Sequence, residues 1–436
     1  MQQGSATRLP YPDNHFDAVI TDPPYYDSVP YADLSDFFYV WLKRTIGHLY
    51  PELFATPLTP KSDEMVAHAS RMGGMAAAKR QFEAMLVQAF CEIHRVLKPD
   101  GIAVIVFAHK TTEAWETVLN ALLQAGLYPT ASWPIHTEMK ARLRAQESAA
   151  LASSIYLVCR KRVSAAVGYW SEVRPQVKER IERRLSQFWD AGIRGADLFM
   201  SAIGPAMEAF GQYARVERAS GDPVSAAELL ELVQQTVSEY ALKRILHEDA
   251  HAGELDPLSR FYLLYRWSYG RAEASFDEAR KLAAGVGLEL TEAWGPGRVI
   301  EQHKDKVRVL GPQERNWGLG IRGSGLGIRN QGKRGRRSNP AQATLGLDPE
   351  TLPDLFDQIP NPQSPIPNPQ SLIDVLQLAC VLWESGQHGW LAQLLKGKGY
   401  GERPAFWLLA QAIAETLPAG DKEKQLLQGL LAHGKR

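Results

Sequence analysis

The chain has 436 residues and a mass of 48.5 kDa, too long for one ordinary domain and suited to two or three. Hydrophobic residues make up 45% and charged residues 22%, a globular balance rather than a disordered one. The 49 Lys and Arg offset 49 Asp and Glu, which excludes bulk attraction to nucleic acid and leaves only a local patch for such binding.

The amino terminus, MQQGSATRLPYPDN, is polar and carries no apolar signal-peptide core. The longest strongly apolar runs, such as Ala103 to Ala108, fall far short of a membrane span. A cytoplasmic, soluble protein without a membrane partner is the default expectation. Residues 16 to 21, FDAVIT, form a short apolar run that predicts a buried strand. Pro23 and Pro24 stop it, because neither donates a backbone hydrogen bond. Leu34, Phe37, Phe38, Trp41 and Leu42 follow helical spacing over Ala32 to Ile46, and the FFYVW stripe is expected to be core. Residues 47 to 73 read as a loop.

A second helix fits Met75 to Leu97. Lys98-Pro99-Asp100-Gly101 has turn chemistry, and IAVIVFA (102 to 108) reads as a strand of the parallel, doubly covered kind. A helix over Thr112 to Ala125 and strands over Tyr128 to Ile135 and Ser154 to Arg160 follow. The order predicts an α/β fold with a parallel sheet and an antiparallel strand at most at its edge. After about residue 163 strand signals stop, and residues 164 to 310 read as a helical domain. In 311 to 371, GLGIR (318 to 322 and 325 to 329) and IPNPQS (359 to 364 and 366 to 371) each recur after seven residues; two short copies do not make a solenoid, so the stretch reads as a low-complexity linker. Residues 372 to 436 form a small helical region. Cys91, Cys159 and Cys380 make no CxxC pair, which disfavours a zinc ribbon or disulfide framework and leaves no metal site; all three are expected to be buried.

The chemistry lies in Asp22-Pro23-Pro24-Tyr25, directly after FDAVIT. Average usage puts the chance of a DPPY in such a chain on the order of 1 in 500. Open α/β sheets bind ligands outside the carboxyl ends of their strands. An exocyclic amine on adenine or cytosine is a poor nucleophile, because its lone pair is delocalised into the ring. The Asp22 carboxylate can accept one N–H and a carbonyl of the Pro-Pro step the other, acceptors placed for the positive charge that develops on attack. Tyr25 offers a face for stacking an extruded base. Tyr26, Asp27 and Tyr31 fit either the border of a target-base pocket or a loop packed by its own aromatics. A simple strand-ending turn is the bland reading of the motif.

DPPY resembles the signature of the amino-methyltransferases. The block SATRLPYPDNHFDAVITDPPYYDSVPYADLSDFFYVWLKR, with VLKPDGIAVIVFAHK, LQAGLYPTASWPI and ALASSIYLVCRKR, resembles large adenine-specific DNA methylases, whose relatives carry a zinc ribbon. The helices to about residue 310 resemble that family's C-terminal part. The resemblance implies part of a class I S-adenosylmethionine-dependent methyltransferase sheet of Rossmann-like type over residues 1 to 163, lacking its first strands and followed by a mostly helical region. It implies N6-adenine methylation of DNA, with Asp22, Pro23, Pro24 and Tyr25 catalytic, Asp22 also touching the cofactor, and a restriction-modification or defence setting. Such enzymes place a DPFxGGG cofactor loop on an earlier strand. No position here offers it, and the glycines at 318 to 327 lack the strand-and-helix context of a cofactor loop. The expectation is therefore a C-terminal piece whose cofactor-binding half comes from a separate chain or has been lost. The alternative is an inactive remnant or a partner subunit that binds nucleic acid or protein. Arg315 to Arg337 is basic and free of acids, which fits either phosphate contacts or a translated repeat insertion. The 173 to 310 helices fit a target-recognition or scaffold module.

Overall fold

The computed structural model describes residues 4–24, 29–109, 111–136, 153–247, 254–295, 298–315, 317, 371–397 and 399–434. Their contacts form two compact units, one of the described residues up to Val237 and one of those from Ser238 onward.

The first unit is α/β. Strand β1 (Phe16–Thr21) leads to helices α1 (Tyr31–Ile46), α2 (Ala69–Met72) and α3 (Met75–Val96), which runs directly into β2 (Leu97–Phe107). Helix α4 (Thr112–Gln124) and strands β3 (Leu127–His136) and β4 (Ser153–Lys161) complete a four-stranded sheet of order β1-β2-β4-β3. Only β1 and β2 are parallel; β4 pairs antiparallel with β2 on one side and β3 on the other. The sheet is thus mixed, not parallel with one antiparallel edge. The cause is the order of connections: α4 carries the chain to the far edge, and β4 turns back against β3 to fill the gap beside β2. Central strand β2 alternates, with Ala103, Ile105 and Phe107 buried on one face as a two-residue period requires.

Lys98–Gly101 does not end β2. Phe16 pairs with Leu97 and Ala18 with Ile102, so four turn-forming residues loop out opposite Asp17 within one strand. Lys98 Nζ reaches Asp17 Oδ1 at 2.6 Å, and a side chain at Gly101 would crowd Leu97 and the Asp17 carbonyl. The turn chemistry was legible, but its outcome is a bulge.

Helix α3 turns Phe82, Leu86, Phe90 and Ile93 inward, and α4 contributes Trp115, Val118, Leu119 and Leu122. Helix α1 departs from expectation. Its Leu34, Phe37, Phe38, Trp41 and Leu42 are 46–66% exposed. The side it buries carries Tyr39, whose hydroxyl donates to the Thr56 carbonyl at 2.9 Å and whose ring meets Phe54 at 5.1 Å. The apolar stripe is therefore not core, because the 54–61 segment covers the opposite side of the helix.

Strands also continue past residue 163. Short β5 (Val167–Tyr169) pairs with β6 (Arg215–Glu217), flanking helices α5 (Trp170–Asp190) and α6 (Ala196–Phe210). Three residues offer no periodicity to read. Helix α6 lies close on β3: a Cβ at Gly204 would overlap Ser132, whose hydroxyl donates to the Ser201 carbonyl at 2.8 Å. Helix α7 (Ala226–Ile245) follows.

The second unit holds α8 (Pro257–Tyr269), β7 (Ala274–Ser275), α9 (Phe276–Gly285), β8 (Ile300–His303), β9 (Lys306–Val309), α10 (Leu372–Glu384), α11 (His388–Ala392), α12 (Pro404–Thr416) and α13 (Lys422–Gly434). Asp256 caps two helices at once. It accepts from Ser259 N at 3.0 Å and from Leu372 N at 2.9 Å, satisfying the free amides at the starts of α8 and α10. Arg266 is buried between Tyr262 and Glu423, with Nη2 2.9 Å from Glu423 Oε2. No helix of the described residues is long and apolar enough to cross a membrane. Cys159 and Cys380 are buried as expected and Cys91 is exposed, because position 91 falls on the solvent side of α3.

Candidate functional site

Strand β1 ends at Thr21, paired in parallel with Ile105 of β2. Asp22, Pro23 and Pro24 therefore stand at the carboxyl ends of two adjacent parallel strands, where open α/β sheets hold ligands. Their prolines end the ladder by removing its donors. Pro23 is buried, Pro24 half-buried and Asp22 exposed. No hydrogen bond or ion pair engages the Asp22 carboxylate among the described residues. Its lone pairs are open to an incoming N–H donor. Tyr25, Tyr26 and Asp27 lie outside the described residues.

The neighbouring strand β2 is followed by Ala108 and His109, before α4. His109 Nδ1 accepts from the Thr111 amide at 3.2 Å and faces Thr111 Oγ1 at 2.9 Å. Trp115 Nε1 donates to the His109 carbonyl at 2.9 Å, and its ring meets Phe107 edge-on at 4.9 Å. His109 thus turns back on the residue that precedes α4, and this use of Nδ1 as an acceptor places the hydrogen of a neutral ring on Nε2.

Tyr31 is the first residue of α1 and is 62% exposed. The turn that follows is held by charges from the 59–71 segment. Glu64 Oε1 accepts from Ala32 N at 2.8 Å, and Arg71 bridges Glu64 and Asp33, each at 2.6 Å. Lys61 Nζ sits 2.8 Å from Asp36 Oδ2. The hydrogen bonds from Lys61 and then Thr59 hold the Asp36 carboxyl below the usual carboxylate range. These clamps fix the first turns of α1 against the 59–71 segment. Glu64 lies 32 residues from the amide it caps, and no local spacing announces such a partner.

One other candidate surface changes meaning. Arg315 does not belong to a phosphate-binding stretch: it is buried, 2.7 Å from both Asp374 Oδ1 and Gln377 Oε1, with its guanidinium 4.3 Å from the Trp317 ring centre. The other basic residues of that stretch, up to Arg337, lie outside the described residues. A groove between α3 and α4 of about 260 Å³ is lined by Glu83, Glu113 and Glu116 among others, a field that repels phosphate. No residue of the Asp-Pro-Pro turn lines it. Compared with known proteins, the chain matches no family model, no curated protein and no solved structure.

Proposed function

We propose that the chain is the amine-handling part of a methyltransferase that acts on the exocyclic amine of adenine in DNA with S-adenosylmethionine as methyl donor, built on part of a class I methyltransferase sheet. One observation carries the reading: Asp22 is exposed and unengaged among the described residues, at the carboxyl ends of parallel β1 and β2. There the carboxylate accepts one N–H of the extruded base. The rigid Pro23–Pro24 step presents carbonyl oxygen for the other and supplies no competing donor. Both acceptors gain strength as positive charge grows on the nitrogen, so they favour the transition state over the bound amine. Tyr25, next in sequence, supplies the stacking face, and Tyr26, Asp27 and Tyr31 border the base.

The residues present do not fit the cofactor by themselves. Among the described residues neither parallel strand ends in a glycine-rich turn: β1 is followed by Asp-Pro-Pro and β2 by Ala108-His109. In this reading the cradle for S-adenosylmethionine is supplied by residues other than those described, and only the amine side of the reaction falls to the Asp-Pro-Pro segment. The same observation favours a second reading, a non-catalytic subunit that binds nucleic acid or protein.

Replacing Asp22 with Ala in the chromosomal copy decides between them, with N6-methyladenine counted among the nucleosides of digested genomic DNA. The methyltransferase reading expects the modified base to fall by about two orders of magnitude or more, the scale of losing an acceptor used in the transition state. Wild-type levels of the modified base would sink it. Calorimetry of the purified chain with S-adenosylmethionine should show no binding heat.

A further inference from the structure

The two edges of the four-stranded sheet are finished differently. Strand β3 is guarded as free edges are. Pro129 and Pro134 remove donors from it, its register shifts between Pro129 and Ala131, and α6 lies against it at Gly204 and Ser132. Strand β1 carries no proline or lysine between Phe16 and Thr21, and its one charge, Asp17, is bonded to Lys98 of β2. Among the described residues nothing pairs with its outer edge. Alternate residues of β1 therefore turn N–H and C=O groups outward without a ladder partner.

The two faces of the sheet are unequal as well. Ile105 pairs with Leu157, and both are fully buried. Helix α4 lies on this side, where Trp115 meets the Phe107 ring at 4.9 Å, and α3 packs beside it. On the other face Ile20 pairs with Val104, Val104 with Val158, and Tyr156 with Trp133. None of these five is buried, and Ile20 and Trp133 are 73% and 53% exposed. Parallel strands are ordinarily covered on both faces.

We propose that a different polypeptide completes this sheet: it adds a strand parallel to β1 on the open edge and lays the helices that follow on the bare face. Backbone chemistry selects the strand, since an extended segment is what meets a row of outward donors and acceptors. Handedness selects the rest. The crossover from β1 to β2 ends in α3, on the covered face. Strands that lead away from β1 in the opposite direction keep the same right-handed crossover only with their helices on the opposite face, which is the bare one. One α/β partner thus accounts for both openings. A second copy does not: pairing β1 with β1 across a twofold axis closes the edge but leaves each bare face bare, because α3 and α4 of the copy cover its own strands. The added strand ends beside Asp22, and parallel strands whose connections diverge leave a crevice at their carboxyl ends, where ligands bind. Placing S-adenosylmethionine in that crevice rests on the methyltransferase reading; the docking rests on the sheet alone.

A photo-reactive benzoylphenylalanine at position 18, 20 or 104 of the chromosomal copy tests this in the cell. Ala18 and Ile20 are exposed and Val104 opens onto the bare face, so the label leaves the fold in place. Positions 18 and 20 should link to one partner polypeptide, and the residue reached from 20 should follow in its sequence the residue reached from 18, as parallel strands require. Position 104 should link to a helical stretch of the same polypeptide. Ile20→Lys, with the label at 18, should cut the linked product by about tenfold or more, the effect of a lost anchor, while the purified variant melts like the wild type. Links to a second copy or to the chain's own residues, a reversed order at 18 and 20, different polypeptides at 20 and 104, or no link would each overturn the proposal. The two readings fail separately. A partner linked in this way in cells without N6-methyladenine keeps the docking and removes the methyltransferase; N6-methyladenine that depends on Asp22 in cells showing no link does the reverse.

Discussion

Helices α1 and α3 have comparable amphipathic patterns and opposite fates. On α3, Phe82, Leu86, Phe90 and Ile93 are at most 7% exposed. On α1 the equivalent stripe is 46–66% exposed. The difference lies in connection, not composition. Helix α3 passes without a loop into the central strand, from Val96 to Leu97, so its apolar face is delivered onto the sheet. Helix α1 is held at its first turn by Arg71 and Glu64 and on its inner side by the 54–61 segment, which leaves the stripe outward. A 3.6-residue pattern states which face prefers cover; topology decides whether the same chain provides it.

The largest predicted effect breaks this comparison if it fails. Phe82→Ala should cost about 3–5 kcal/mol, because a fully buried ring leaves a cavity behind. Phe38→Ala should stay within about 0.5 kcal/mol, as exposed substitutions do. Urea denaturation of the two variants beside the wild type measures both. Equal losses would mean that α1 is covered within its own chain.

A smaller effect sharpens the contrast between covered and uncovered elements. Helix α6 approaches β3 so closely that Gly204 has no room for a methyl group against Ser132. Gly204→Ala should destabilise the first unit by about 1–3 kcal/mol, the usual cost of overpacking a fitted contact. Adding Ser132→Gly should restore part of this and no more, because it also removes the hydrogen bond to the Ser201 carbonyl. Thermal melts of the single and double variants form the cycle. A harmless Gly204→Ala would mean that α6 does not rest on the sheet this tightly.

What was legible in the sequence follows the range of the forces involved. FDAVIT, the 75–96 helix, the 112–124 helix and strands β3 and β4 announce themselves locally, and each forms within a residue or two of its expected bounds, but FDAVIT is not the buried strand expected: it lies at the sheet edge with none of its residues buried and Ile20 73% exposed. Strand partners are another matter. Nothing within Ser154 to Arg160 says that it will lie between β2 and β3, and that long-range choice made the sheet mixed. The three-residue strands β5 and β6 are too short to carry a period. At the candidate site, Asp-Pro-Pro was visible as a motif and falls at a strand's carboxyl end, whereas the Glu64–Arg71–Asp33 clamp depends on residues more than 30 positions apart. Arg315 looked like part of a basic run and proved to be a buried partner of Asp374, because composition does not reveal which member of a run meets an acid from a distant helix.

The smallest effect concerns how α3 holds the residues before β1. Glu92 Oε2 accepts from Leu9 N at 2.7 Å, while Arg95 donates to the Leu9 and Tyr11 carbonyls and to Glu92 itself. The Arg95 hydrogen bond, ahead of the Leu9 amide, lowers the Glu92 carboxyl from its ordinary 4.5 to about 2. A carboxyl depressed on folding stabilises the native state above its unfolded value and loses that contribution as acid protonates it. The contribution is therefore complete above pH 4.5 and disappears as the pH falls toward 2. Glu92→Gln keeps an acceptor for Leu9 but has no charge to lose. Its stability should be lower than wild type by about 1 kcal/mol or less at neutral pH, after solvent screening. The gap should close between pH 4.5 and 2, followed as the difference in melting temperature across that range. A constant gap would mean that the clamp works through hydrogen-bond geometry alone. The first unit would then owe its acid sensitivity to other carboxylates, with Asp17 beside Lys98, also lowered by its hydrogen bond to that lysine, the next to replace.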